Sequence, residues 1–480
     1  MTAGSGVTLL SVQCETLAER SDRALEDLLT YFGPDLVYVV RDGFDPRVAS
    51  RLRRSFDGSV VHAAGAEDLR TETVAGQTVV FATATTALED RAPAGADYVV
   101  CDDLTVETDR ISLEVGLEGR DAIGRYQARI RSAETTFLTG ALEANYDHVW
   151  TAIVDGERVR LPVRGLGPIR RAGSAELACL TCGEDGSVAV SSVPADRFGL
   201  TALEGVGPST ADRLREQGYD RRAAVAEASV DDLESVRGIG TTTARTIRES
   251  ARALVDGRVV RRTEDPVPPA DRTPIFVDIE TDGLHPTVVW LIGVYDPARD
   301  AYVDFVDTSP SKDDPGRATR EFVDWLAAEY DRPALVAWNG HEFDFEHLER
   351  FVAEYAPAFH EFWREDVFEY DLYDWAVRRD NAVLPGRTNR LEDVATALGR
   401  VEERDAEPID GRTLGKRIRR LLESSSDDED VDWNRARRYC EADIRELAAV
   451  HEAIEEADPE PARTESTDDH GTTQTGLTDF

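Results

Sequence analysis

One short apolar segment, interrupted by two acids, constrains this chain more than any other feature. Residues 275–279 predict a buried strand, and Asp278 and Glu280 fall at its end. Side chains two residues apart in a strand point to the same face. Two like charges buried side by side are costly without a positive partner. A divalent cation is the natural partner, and hard oxygen ligands suit Mg²⁺ or Mn²⁺.

Two later segments add acids of the same kind. An apolar strand over 335–338 runs into an Asn-Gly turn, and the helix that follows carries Asp344. Tyr439 and Asp443 are four residues apart in an amphipathic helical pattern, so they share one helical face.

Together, these three segments resemble a known enzyme family. The patterns are D-x-E-T-D-G-L at 278–284, N-G-x-x-F-D at 339–344 and Y-x-x-x-D at 439–443. They resemble the DEDDy branch of the ribonuclease-H-like 3′–5′ exonucleases and, within it, the exonuclease-like domain of the YprB family. The resemblance covers about 273–455, including the helix at 391–399. It implies a mixed sheet with flanking helices and two-metal hydrolysis of phosphodiester bonds.

The resemblance also implies a role for each acid. Asp278 would bridge two Mg²⁺ or Mn²⁺ ions, and Glu280 and Asp443 would hold the first of them. Asp344 would support the second ion through water, and Tyr439 would orient the attacking water.

Neighbouring residues receive smaller roles. Thr281 and Leu284 lie where members of the family touch the terminal nucleotide. Asp371 falls in a segment that resembles an accessory part of the family and is a minor candidate. We read His341 as a turn residue and Asp282 as a supporting or solvated acid.

A second pattern occurs twice, at 203–211 and 236–244. Each copy has an apolar lead-in, a Gly-hydrophobic-Gly turn, and then an amphipathic helix entered through Ser or Thr. Glycines allow close approach of another chain, and the N–H groups of a helix N-terminus favour a phosphate. The four glycines are two pairs with a spacing of 33 residues, Gly205 with Gly238 and Gly207 with Gly240.

These copies resemble the tandem helix-hairpin-helix module, which implies contact with the DNA backbone, usually across a minor groove. The alternative is a pair of hairpins used only for packing or protein contact. Candidate phosphate contacts are Arg237, Arg245, Arg248 and Arg252.

The charge balance is strongly acidic. The chain has 94 acidic and 55 basic residues, a net charge of −39, and only two lysines, Lys312 and Lys416. This composition resembles proteins of salt-accumulating halophiles, in which about 1 M salt shortens the Debye length to about 3 Å. The alternative explanation of the negative charge is that it excludes acidic binding partners. Residues 196–263 are a near-neutral island, with 12 Arg and 11 acids giving +1.

The fold class predicted is a multidomain α/β chain. Residues 1–195 predict an α/β domain of unknown function, with strands at 7–12, 36–40, 78–82 and 98–101, helices at 15–31 and 46–56, and hairpins at 149–163 and 176–193. The hairpin module follows at 196–256, a proline-rich linker at 257–272, and the exonuclease-like domain at 273–457. Residues 424–432 predict a solvated loop and 458–480 a disordered acidic tail.

Other features narrow the class of protein. The chain has no apolar run of membrane-spanning length and no secretory signal pattern. Five cysteines fit a reducing cytoplasm. Cys179 and Cys182 form a C-x-x-C without two further ligands, so we discount zinc.

The sequence therefore predicts a cytoplasmic, metal-dependent nuclease that acts on nucleic acid, with DNA favoured and RNA as the alternative substrate. No membrane partner is expected, and the partner of the N-terminal domain is open. The alternative is a noncatalytic nucleic-acid-binding scaffold that keeps the exonuclease fold.

Overall fold

The computed structural model describes residues 6–62, 69–88, 93, 95–108, 115–130, 134–171, 174–268, 271–400, 411–423 and 431–459. Strands β1 to β14 are Val7–Val12, Leu36–Val39, Ser59–His62, Leu69–Val74, Gln77–Ala82, Tyr98–Cys101, Val106–Thr108, Val115–Leu117, Thr136–Glu143, Asp147–Val154, Glu157–Gly167, Ile169–Arg171, Ser174–Cys182 and Val188–Pro194. Strands β15 to β21 are Val260–Arg261, Thr273–Thr281, Val289–Asp296, Ala301–Val306, Pro333–Ala337, Phe368–Asp371 and Ala382–Val383.

Helices α1 to α7 are Cys14–Leu17, Asp22–Phe32, Pro46–Ser55, Arg120–Ile130, Pro208–Glu216, Arg222–Glu227 and Val230–Glu234. Helices α8 to α14 are Thr241–Asp256, Arg317–Glu329, Asp344–Tyr355, His360–Glu365, Leu391–Ala397, Gly411–Glu423 and Trp433–Glu456. None of the helices in these ranges has the length and apolar character needed to cross a membrane.

The N-terminal part contains two six-stranded sheets. One has the order β12-β13-β1-β2-β3, with β14 on β13, and the other has the order β10-β11-β9-β6-β5-β4. Residues of both sheets, such as Tyr38 and Phe81, form one shared core. The outer faces are covered by α2 and α3 on one side and by α4 on the other. The strand β2 is buried throughout because both of its faces are covered.

The two predicted hairpins are confirmed as β10–β11 and β13–β14, which pair antiparallel. They belong to different sheets, however, because β11 continues parallel to β9 while β13 pairs with β1. The prediction of a single helix over 15–31 was wrong. The chain breaks into α1 and α2, since the Ser21 hydroxyl accepts a hydrogen bond from the Ala24 N–H and caps a new helix start.

The C-x-x-C residues face opposite sides of β13, as expected for an extended strand. Cys179 packs with the α2 and α3 layer, and Cys182 packs between the two sheets. Burial raises the pKa of both thiols, that of Cys182 to about 12. Both side chains therefore behave as core residues.

The C-terminal sheet is mixed, with the order β18-β17-β16-β19-β20. Strand β16 pairs antiparallel with β17 and parallel with β19. One face packs against α9 and α10, and the other packs against α12 to α14. This arrangement agrees with the mixed sheet and flanking helices that the sequence predicts.

The proline-rich segment 257–272 is not an extended spacer. Its strand β15 pairs with β21, and Val260 and Val267 are buried. The Arg261 guanidinium donates hydrogen bonds to the Thr263 and Ile454 carbonyls, which ties the segment to α14. The acidic run over 424–430 and the tail beyond 459 lie outside the described residues, while Asp432 caps α14 by accepting from the Arg435 N–H.

Candidate active site

The alternation of side chains along β16 determines where its acids point. Ile275, Val277 and Ile279 pack into the core against α9 and α10. Phe276 lies on the opposite face, where its ring meets His451 of α14. Asp278 and Glu280 continue the Phe276 face, so they point toward α14.

Helix α14 presents Tyr439 and Asp443 to that face of the strand. Between them, Cys440 lies against β16, with its Sγ 4.0 Å from the Asp278 carbonyl oxygen. The Tyr439 hydroxyl donates a hydrogen bond to Asp443. Burial, followed by the charges of Asp443, Glu280 and Asp278, raises the pKa of Tyr439 well above its usual range. Its hydroxyl therefore keeps its proton at neutral pH.

Asp344 is the first residue of α10 and is 7% exposed. The parallel pairing of β16 with β19 ends at Phe276 and Val336, which leaves the Ile279 N–H on that side without a strand partner. The Asp344 Oδ1 accepts a hydrogen bond from this N–H at 3.3 Å. Burial raises the pKa of Asp344 to about 7, against the effect of its backbone hydrogen bonds.

Asp278 lies at the centre of the cluster. Burial raises the pKa of its carboxyl, and the charges of Glu280, Asp344 and Asp443 raise it further. Its Oδ2 is buried and has no hydrogen-bond partner. The structure thus brings the four predicted acids and Tyr439 into one electrostatically linked cluster.

The donor chemistry of this cluster fits a divalent cation. All four acids offer hard oxygen ligands, and the buried, unpartnered Oδ2 of Asp278 lacks the positive neighbour that would offset its burial. Within the described ranges, however, no group of three or more acidic, histidine or cysteine side chains is arranged so that it could hold a metal ion as it stands.

The structure gives Asp371 a more definite role than the sequence, which made it only a minor candidate. It ends β20, is 4% exposed, and accepts hydrogen bonds from the backbone N–H groups of Asn339, His341 and Asp374 at 3.0 to 3.1 Å. Asn339 has a left-handed backbone, with φ of 62°. Asp371 thereby fixes the turn that leads into Asp344. The available signal was an acid at the end of a short strand that carries two aromatic residues.

The turn after β16 carries an exposed apolar side chain. The Thr281 hydroxyl donates to the Gly283 carbonyl, and Leu284 is 81% exposed. Asp282 is buried and holds the loop by accepting from the N–H and hydroxyl groups of Thr287. Asp282 is therefore a loop-fixing residue, and Leu284 is free to meet a ligand.

Helix α13 lies along the end of β16, which the sequence did not predict. A Cβ added at Gly411 would lie 3.5 Å from a Glu280 carboxylate oxygen and 3.8 Å from the Tyr439 hydroxyl. One turn later, a Cβ at Gly415 would lie 3.1 Å from the Thr281 carbonyl oxygen. Two glycines thus bring the helix backbone close to the acids.

The two hairpin turns have matching geometry. Gly205 and Gly238 have φ of 77° and 81°. Gly207 and Gly240 are the N-cap residues of α5 and α8 and provide no side-chain cap. The first of these helices begins at Pro208 and the second at Thr241, each directly after its glycine. Their first-turn N–H groups have no capping side chain, which suits an approaching phosphate.

The predicted arginines of the module differ in their surroundings. Arg237 is exposed, whereas the Arg248 Nε donates to the Ala228 carbonyl at 2.8 Å and holds the module together. Arg245 and Arg252 lie half-buried on α8. Sequence reasoning missed Arg213, which donates to the Arg237 carbonyl and to Thr210 and so joins the two hairpins.

Comparison with known families agrees with this architecture. Residues 275–455 match the RNase_H superfamily model. Residues 275–455 form an RNase H-like domain. Residues 199–253 match the SAM-like helix-hairpin-helix tandem, which lies directly before this domain.

Curated relatives match only a small part of the chain. The DNA repair and recombination protein RadA of Haloferax volcanii is 46% identical over 57 residues, which is 12% of this chain and 17% of that protein. RadA of Methanocorpusculum labreanum is 40% identical over 62 residues, 12% of this chain and 19% of that protein. The chain thus spans less than a fifth of these relatives.

Two solved structures show distant likeness. E. coli exonuclease I bound to single-stranded DNA, in its zinc-bound form, is 20% identical, with 32% of this chain and 40% of that chain covered and a TM-score of 0.22. Chaetomium thermophilum Vps29 is 13% identical, with 39% and 97% covered and a TM-score of 0.15. TM-scores of this size do not establish a shared fold.

Proposed function

We propose that this chain is a metal-dependent nuclease that removes nucleotides from the 3′ end of DNA. The observation that carries the proposal is the Asp278 carboxyl, buried among Glu280, Asp344 and Asp443 with one oxygen unpartnered. Burying like charges together lowers stability. Binding of a cation would explain why these carboxylates are buried together, whereas a purely structural role would not.

In this proposal each residue of the cluster has one task. Asp278 would bridge two Mg²⁺ or Mn²⁺ ions, Glu280 and Asp443 would hold one of them, and Asp344 would support the other through water. When bound, these ions would supply the Lewis acidity for phosphodiester hydrolysis. The Tyr439 hydroxyl, which already donates to Asp443, would accept a hydrogen bond from the attacking water and so orient it.

The terminal nucleotide would lie against Thr281 and Leu284. The exposed Leu284 offers an apolar surface to a base, while the adjacent acids would lie next to the phosphate. The hairpin turns would hold the DNA backbone without reading bases. This division of labour favours DNA as the substrate.

The rival function is a noncatalytic DNA-binding scaffold. Digestion of 3′-labelled oligonucleotides with Mn²⁺ in high KCl distinguishes the nuclease from the scaffold. The assay compares single-stranded, duplex and flap DNA with RNA. We expect release of mononucleotides from DNA by the wild type and none by Asp278→Ala. Asp313→Ala, which changes an exposed acid, is the control. Equal cleavage by Asp278→Ala, or no cleavage by the wild type, would support the scaffold.

A further inference from the structure

Helix α13 places a basic side chain beside the candidate active site. Leu414 and Ile418 anchor the helix in the core, so its position against β16 is fixed by packing. The positions 411, 415 and 419 are four residues apart and share one face. Gly411 and Gly415 line the acids and the turn after β16, and Arg419 continues this face.

The Arg419 guanidinium lies directly over Gly283. A Cβ added at Gly283 would meet it closely, which places the cation next to the exposed Leu284. Arg419 is itself exposed, and among the described residues it makes no hydrogen bond or ion pair. In a chain with 94 acidic and 55 basic residues, this cation is not paired with a carboxylate among the described residues.

The spacing along the helix fits a polynucleotide strand. Gly411 lies beside Glu280 and Tyr439, and Arg419 follows eight residues later, which is about 12 Å along the helix axis. A stacked strand carries one phosphate per about 3.4 Å. Arg419 therefore reaches phosphates within the last few nucleotides of a strand whose end lies at the acids.

We propose that Arg419 is a substrate-positioning residue that binds a backbone phosphate upstream of the nucleotide being removed. The inference rests on the nuclease function proposed above and adds to it a contact outside the carboxylate cluster. The guanidinium fork suits a phosphate because it can donate two parallel hydrogen bonds. Glycines at 411 and 415 let this helix face pack against the acids and the turn after β16, so the exposed Arg419 lies at the edge of the site, where an upstream phosphate would pass.

The test compares two substrates with Mn²⁺ in high KCl. A single-stranded 3′-labelled oligonucleotide carries upstream phosphates, and the p-nitrophenyl ester of thymidine 5′-monophosphate carries none. We expect Arg419→Ala to raise KM for the oligonucleotide about tenfold, as loss of a charge-assisted hydrogen bond does, with kcat retained. Hydrolysis of the ester should not change.

The dependence of KM on salt distinguishes a phosphate contact from a structural effect. Arg419→Ala should lower the slope of log KM against log KCl by about 0.7, the value for one phosphate of a single strand. Arg419→Lys should restore that slope while recovering only part of the affinity, since lysine lacks the fork. Arg420→Ala is the control, because Arg420 acts on His148 of the N-terminal part.

Each outcome decides a separate point. If Arg419→Ala keeps the wild-type KM and slope, or slows the ester equally, Arg419 does not position the strand. An equal effect of Arg420→Ala would likewise overturn the inference, because the effect would then be general charge. A wild type inactive on both substrates would instead overturn the proposed nuclease function.

Discussion

Asp27 and Arg387 form an ion pair with two hydrogen bonds, each of 2.7 Å, although 360 residues separate them. Asp27 lies on α2 of the N-terminal part, and Arg387 lies in the RNase H-like domain. The same carboxylate accepts from Arg222 of the hairpin module at 2.8 Å and from the Gly199 N–H at 2.8 Å. One side chain thus connects all three parts of the chain.

We predict that Asp27→Ala lowers the free energy of unfolding by about 3 kcal/mol, since its ion pairs are largely shielded from water and loss of one partner leaves the arginines uncompensated. Asp22→Ala, on the same helix but in an exposed pair with Arg51, should cost less than about 1 kcal/mol. Urea unfolding at fixed KCl measures both. Equal losses of unfolding free energy in the two variants would show that the ion pairs of Asp27 stabilise the fold no more than a surface ion pair does.

The effect of Asp27 should depend on pH. Burial alone would raise its pKa, but Arg387, Arg222 and the Gly199 N–H together lower it below the usual 3.8. The stabilisation is therefore present above pH 4 and is lost as pH falls through the folded-state pKa. The difference between wild type and Asp27→Asn should shrink in acid, which unfolding curves at pH 3 and pH 7 would show.

Asp344 should have the opposite pH dependence in metal-free protein. Its folded-state pKa of about 7 lies above the unfolded value of 3.8, so the folded state holds the proton longer. Stability should fall as pH rises from about 4 to 7, by up to about 1.4 kcal/mol per pH unit. Melting curves in EDTA should show this decline reduced in Asp344→Asn and retained in Asp313→Asn. Parallel declines in all three would exclude Asp344 as its source.

The hairpin module gives a prediction on DNA affinity. A Cβ added at Gly240 meets nothing within 4 Å and the backbone φ is −94°, so Gly240→Val should leave the fold intact. The added side chain should block a phosphate from the α8 N-terminus and weaken duplex binding about tenfold. Fluorescence anisotropy with a labelled duplex measures it, and Gly116→Val, at another open glycine, is the control. Unchanged affinity would favour the packing role for these turns.

The net charge of −39 predicts a response to salt. Repulsion among the acids destabilises the compact state, and salt screens it. The melting temperature should therefore rise between 0.1 and 3 M KCl. A melting temperature independent of KCl would contradict the halophile-type interpretation of the composition.

The sequence predicted well where one segment carried the signal. The acids of β16 share a face because strand alternation is local, and the hairpin turns repeat because glycine imposes their geometry. The break before Asp22 was missed, although Ser21 followed by an acid is a local helix-start signal. The junction of Asp27 with Arg387 was not predictable, because partners so far apart meet only through the tertiary fold.

Helix α13 shows the same limit at the site itself. This helix was not predicted from the sequence, and only the packing of Leu414 and Ile418 places its glycines against β16. The proline-rich segment 257–272 was predicted as a linker for a related reason. Prolines indicate where regular structure is disfavoured, but not that Val260 and Val267 are buried against another part of the chain.

The hydrogen bonds of Asp371 bear on how a mutational scan of this protein should be interpreted. This carboxylate accepts hydrogen bonds from three backbone N–H groups and so holds the loop that leads into Asp344. In the proposed nuclease, alanine at 371 would therefore lower turnover by displacing Asp344, even though Asp371 is not one of the proposed ligands. A ranking of positions by lost activity alone would therefore assign a catalytic role to Asp371, whose role is to hold the backbone in place.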